Sequence, residues 1–95
     1  MKKILIINGH PDKESLCHAL TDAYLKGAQS NNQIEVRRID LIDLKFDPIL
    51  RYGYRVPYEL EPDLKQAQQD ILWAEHLVWV YPIWWGTVPA LLKGF

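Results

Sequence analysis

The chain switches hydrophobic period again and again, from strand to helix and back, and this alternation restricts its possible folds more than any other feature. Lys3 to Asn8 is a continuous aliphatic run, apolar on both faces, as in a central parallel strand covered by helices on each side. From Ser15, a suitable N-cap, the spacing becomes helical, and Leu16, Ala19, Leu20, Ala23, Tyr24, Gly27 and Ala28 define the face expected to lie on the sheet. The polar turn Asn31-Asn32-Gln33 precedes a segment in which Ile34 and Val36 alternate with Glu35 and Arg37, as in an edge strand with one wetter face. Pro62 to Ala74 is a second helix opened by proline, with Leu64, Ala67, Ile71 and Leu72 on one side. Leu77 to Tyr81 reads as a second central strand, and Pro89 starts a third helix at Ala90-Leu91-Leu92. Strand, helix, strand, helix, strand, helix implies parallel strands joined by right-handed crossovers, the doubly wound α/β class.

Composition narrows the function. The 95 residues are 48% apolar and 24% charged with a net charge of −1, which describes a single globular unit. Basic residues are scattered, so the concentrated positive face that nucleic acid requires is missing, and no nucleic-acid partner is expected. The apolar run after Lys2-Lys3 is too short for a signal-peptide core and no other run approaches a membrane span. With a single cysteine, Cys17, there is no internal disulfide, and a cytoplasmic location is expected.

In doubly wound sheets ligands bind beyond the carboxyl ends of the strands. Two segments lie there: Asn8 to Ser15 after the first strand and Tyr81 to Pro89 after the third. The first has only Gly9 and lacks the three glycines of a dinucleotide fingerprint. It offers instead His10, the Ser15 hydroxyl and the open N–H groups of a helix N-terminus, which attract phosphate; capping and a Pro11-Asp12 turn alone are the plainer reading. In the second, Trp84 and Trp85 are adjacent in a loop bounded by proline and glycine, where one indole would be left poorly buried unless something flat covers it. A planar heteroaromatic cofactor or a subunit interface would do so. A phosphate cradle and an aromatic ledge at neighbouring strand ends suggest one ligand, phosphorylated at one end and flat at the other, and a flavin has that outline.

The segments ILIINGHPDKESLCHAL and YPIWWGTVPALLKGF together resemble the flavodoxin-like NAD(P)H:quinone oxidoreductases, a group that includes quinone reductases and the ancillary oxidoreductases of potassium efflux systems. The resemblance runs from Lys3 to Phe95, and Pro82 to Gly94 is its most specific part. It implies that His10, Ser15, Leu16, Cys17 and His18 hold the flavin phosphate region through side chains and helix amides. Pro82, Ile83, Trp84, Trp85, Gly86 and Thr87 would border the isoalloxazine, with Trp85 a wall of the substrate pocket. Cys17 stands where many relatives have asparagine, and Trp84 where some have a more polar residue.

The resemblance further implies FAD, with FMN as the alternative, NAD(P)H as hydride donor, a quinone-like acceptor and a homodimer. No catalytic side chain or metal ligand is assigned within this stretch. The segment from Asp47 to Asp63, rich in tyrosine, is where relatives make subunit contacts and shape the pocket. A flavodoxin-like sheet has five strands in the order 2-1-3-4-5 and this chain has three, in the order 2-1-3. Residues 1–95 are therefore read as the amino-terminal part of a single flavin-binding domain, inactive alone. The competing function is that of a regulatory ancillary subunit of a potassium efflux transporter with the same fold, and a flavin-free α/β scaffold is the third.

Overall fold

The computed structural model describes all residues, Met1 to Phe95. Strand β1 is Lys2–Asn8, helix α1 Leu16–Gln29, strand β2 Ile34–Asp40, helix α2 Pro62–Trp73, strand β3 His76–Val80 and helix α3 Ala90–Gly94, with a short 3-10 turn at Leu41–Asp43. The three strands form one parallel sheet in the order β2-β1-β3, so the doubly wound arrangement expected from the alternating periods is present. Lys2 pairs with Ile34 and Asn8 with Asp40 on one side of β1, while Ile4 pairs with His76 and Asn8 with Val80 on the other.

Because strand side chains alternate, β1 feeds both faces of the sheet. Leu5 and Ile7 are fully buried and join Ile39, Leu41 and Ala67 in a core under α2 and α3, sealed by Ile71, Leu91, Leu92 and Phe95. Ile4, Ile6 and Asn8 point the other way, beneath α1. Arg37 extends the α2 face outward: its guanidinium lies 4.0 Å from the Trp73 ring centre and donates to Asp70 at 3.0 Å.

Two expectations are corrected. On α1, only Ala28 of the predicted inward residues is buried; Leu16, Leu20 and Tyr24 are exposed, and Cys17, His18, Thr21 and Leu25 face the sheet instead. The helix is rolled by its polar contacts. Thr21 satisfies its own buried hydroxyl by donating to the Cys17 carbonyl at 2.8 Å, and His18 turns toward Asn8. On α2, Leu72 points to solvent while Leu64, Ala67 and Ile71 face inward. Strand β3, His76–Val80, pairs with β1, and Leu77 and Trp79 are partly exposed.

Candidate functional site

The carboxyl ends of β1 and β3 are neighbours, and the segments leaving them meet. The Gly9 N–H donates to the Val80 carbonyl at 2.8 Å, which ties the start of the first loop to the end of β3. Gly9 is buried, and a Cβ there would sit 3.0 Å from Leu92 Cδ2, so a side chain at this position would require Leu92 to give way by a few tenths of an ångström. Beyond it, His10 and Trp84 pack edge to face, with ring centres 5.2 Å apart at an interplanar angle of 80°. The two loops that the sequence singled out therefore touch through side chains proposed as ligand contacts.

The first loop is organised by its own polar groups. His10 Nδ1 accepts from the Asp12 N–H at 2.9 Å, which leaves Nε2 as the ring nitrogen free for an outside partner. The Asp12 carboxylate accepts from the Glu14 N–H at 2.9 Å, and its carbonyl accepts from the Ser15 N–H at 3.3 Å. Lys13 bridges to Asp43 at 2.6 Å, and that hydrogen-bonded carboxylate raises the Lys13 pKa. Both partners are exposed, so this tether adds little stability.

Ser15 caps α1: its Oγ accepts from the His18 N–H at 3.1 Å. A hydroxyl that accepts in this way keeps its own proton to donate. The N–H groups of Leu16 and Cys17 have no acceptor within the chain and are the open donors of the first helical turn. His18 differs from its neighbours in the predicted run. Its N–H is used by the cap, and its ring lies between Asn8 Nδ2 at 3.4 Å and Arg38 Nη2 at 3.3 Å, so both are engaged internally. Cys17 is a half-buried free thiol on the inward side of the helix.

In the second loop, Trp84 and Thr87 exchange backbone hydrogen bonds at 3.0 and 3.1 Å, closing a two-residue hairpin. The two residues at its tip, Trp85 and Gly86, have φ values of 53° and 77°, as in a type I′ turn. Glycine tolerates that conformation; tryptophan is strained in it. Trp85 gains nothing in return from burial, because its side chain is fully exposed at 102%. Trp84 is partly exposed and Ile83 largely so, while Pro82 is half-buried. Trp85→Asn should therefore stabilise the fold by about 1 kcal/mol, since asparagine accepts a left-handed turn position more readily. A raised urea midpoint in the full-length protein is the expected measurement, and a lowered one would show that the indole has packing the turn does not reveal.

Residues outside the predicted set complete the floor of the site. Asn8, fully buried, accepts from the His10 N–H through Oδ1 at 3.1 Å and donates from Nδ2 to Asp40 at 2.9 Å. Arg38 grips Asp40 through Nε at 3.0 Å and Nη2 at 3.1 Å, and also binds Asp22 of α1. The hydrogen bond from Arg38 holds the Asp22 carboxyl below its usual range. The signal was present in the sequence: the aliphatic run of β1 ends in asparagine, and the β2 segment ends in aspartate. Neither of the two cavities lies here; both flank α2 and the 47–61 segment, the more enclosed being about 230 Å³ between Pro48, Leu60 and Phe95.

Several known proteins are similar to this chain over nearly its whole length. An NAD(P)H oxidoreductase of Escherichia coli, itself uncharacterized, is 28% identical over 99% of this chain and 50% of its own length. NAD(P)H dehydrogenase (quinone) 1 of Cavia porcellus is 30% identical over all of this chain and 42% of its own. Among solved structures, an NAD(P)H:quinone oxidoreductase from Methanothermobacter marburgensis superposes with a TM-score of 0.79 at 25% identity, covering 98% of this chain and 50% of that one. An NADH:FMN oxidoreductase superposes with a TM-score of 0.77 at 26% identity, covering 99% and 48%. The chain thus spans about half the length of the curated relatives that it matches. The pattern of the flavodoxin-like fold matches residues 2–95, and the chain belongs to that family, over the stretch it shares with these oxidoreductases.

Proposed function

We propose that residues 1–95 form the flavin-holding part of a two-electron NAD(P)H oxidoreductase whose acceptor is a quinone or a similar small molecule. The observation that carries this reading is the contact between His10 and Trp84, which brings a helix N-terminus with open donors and an exposed indole hairpin to one end of the sheet. The donor set fits a flavin phosphate: the N–H groups of Leu16 and Cys17, the Ser15 hydroxyl proton and His10 Nε2 are all available. Trp85, strained and bare, suits the flat end of the same ligand or its reaction partner. Pro82 to Thr87 contribute the backbone of that border. His18 acts from beneath, through α1 and Arg38.

A bound flavin would supply the hydride-accepting and hydride-donating chemistry, while this chain binds and orients it. FAD is the favoured form and FMN the alternative. The names of the relatives, all oxidoreductases, support NAD(P)H as donor and leave the potassium-efflux regulatory reading without an observation in its favour. A cytoplasmic homodimer belongs to the same proposal; no helix is long and apolar enough to cross a membrane, and Tyr54 stands fully exposed in the segment proposed for subunit contact.

The test is purification of the full-length protein followed by titration with FMN and FAD and by assay of NADH and NADPH oxidation with and without a quinone. Retained flavin absorbance and quinone-dependent oxidation of one nicotinamide are expected. A colourless protein with no affinity for either flavin would favour a flavin-free scaffold instead.

A further inference from the structure

We propose that Asn8 is a positioning residue that sets where the His10 loop stands relative to α1, an inference that rests on the reading of this loop as a phosphate cradle. The residue is polar where the rest of β1 is aliphatic, and it is wholly buried. Its amide has a single workable orientation. Oδ1 faces the His10 N–H and Nδ2 faces the Asp40 carboxylate, so a flip would set oxygen against oxygen and donor against donor. Through this one amide the first residue of the loop proper is joined to β2, and through Arg38 to Asp22 and His18 on α1.

His10 is consequently held at three points: its backbone by Asn8, its Nδ1 by the Asp12 N–H, and its ring by Trp84. Only the first of these connects to the sheet and to the helix whose open N–H groups face the same ligand. An apolar residue of similar size would pack equally well in β1 but would leave the half-buried His10 N–H unpaired and take from Asp40 Oδ1 one of its two donors, Arg38 Nη2 being the other. Asn8 therefore specifies geometry where leucine would provide burial alone.

The decisive variants are Asn8→Leu, Asn8→Asp and the transposed pair Asn8→Asp with Asp40→Asn, made in the full-length protein. FMN and FAD dissociation constants, melting temperatures and hydrogen exchange at the His10 amide are read for each. Asn8→Leu is expected to weaken flavin binding about tenfold, the scale of one misplaced hydrogen-bonding group, and to speed exchange at His10. Asn8→Asp sets two carboxylates face to face and should do more damage, while the transposed pair restores a donor opposite an acceptor at the cost of the Arg38 Nη2 contact to residue 40, and should recover part of the binding that Asn8→Asp loses. Parent-like affinity and exchange in Asn8→Leu would overturn the proposal, as would a transposed pair that melts like the parent yet binds no better than Asn8→Asp. If the parent itself binds neither flavin, the functional reading fails; faster His10 exchange in Asn8→Leu would then still uphold the positioning role, and unchanged exchange would end it.

Discussion

Gly94→Ala should unfold the protein at a markedly lower urea concentration than the parent, with a loss of about 3 kcal/mol, at the upper end of what overpacking costs. The added methyl would press directly on Pro48 Cβ and lie 2.8 Å from both the Pro48 Cα and its carbonyl oxygen. A flexible side chain could turn aside; two of these three atoms belong to backbone. Helix α3 would have to lift, and with it Leu91, Leu92 and Phe95, which close the core under the sheet. The strain would also reach the site, because Leu92 is the residue against which Gly9 packs before the His10 loop begins. Gly27→Ala is the internal control of opposite sign. It lies within α1 with nothing within 4 Å of the new methyl, so it should gain about 0.5–1 kcal/mol from helix propensity alone. Equal midpoints for the parent and Gly94→Ala would mean that α3 does not bear on Pro48 as described.

The order of elements and the sheet topology were legible because period, more than any single residue, encodes them: Ile4 to Ile7 can be buried on both sides only at the centre of a covered sheet. The bearing of α1 was not legible. Its apolar spacing pointed to Leu16, Leu20 and Tyr24, yet the helix turns His18 and Thr21 inward, because Thr21 satisfies itself and His18 meets the buried polar group of Asn8. Hydrophobic pattern counts methyl groups and takes no account of a polar side chain whose partner lies on another strand. For the same reason Asn8, Asp40 and Arg38 were missed: Asn8 and Asp40 look like ordinary strand ends, and Arg38 like an ordinary strand residue, until the register sets Asn8 opposite Asp40. The loop residues fared better. His10 and Trp84 stood out by residue type, and the parallel order of β1 and β3 was enough to bring them together.

Ser15→Asp should separate the two roles that Ser15 combines. Aspartate caps a helix as well as serine does, so α1 and overall stability should be nearly unchanged, whereas Ser15→Ala would lose about 1 kcal/mol of cap. A phosphate beside that cap would meet a carboxylate in place of a donated hydroxyl proton. Flavin affinity should then fall by more than the loss of one charge-assisted hydrogen bond, roughly 1.5–3 kcal/mol, or about ten- to a hundredfold and beyond. His10→Ala removes Nε2 and also the ring against Trp84, so it should weaken binding by a comparable amount. Combined with Ser15→Ala, it should bring the total to a few kcal/mol, with the two effects coupled because both groups face one anion. Dissociation constants from flavin fluorescence, set beside urea midpoints for the same proteins, distinguish the cases. Affinity lost with stability intact in Ser15→Asp places a phosphate at the α1 N-terminus, because no effect on folding could produce that pair of results. Affinity intact in Ser15→Asp would reduce Ser15 to a cap and move the anion elsewhere, whatever the His10 variant does.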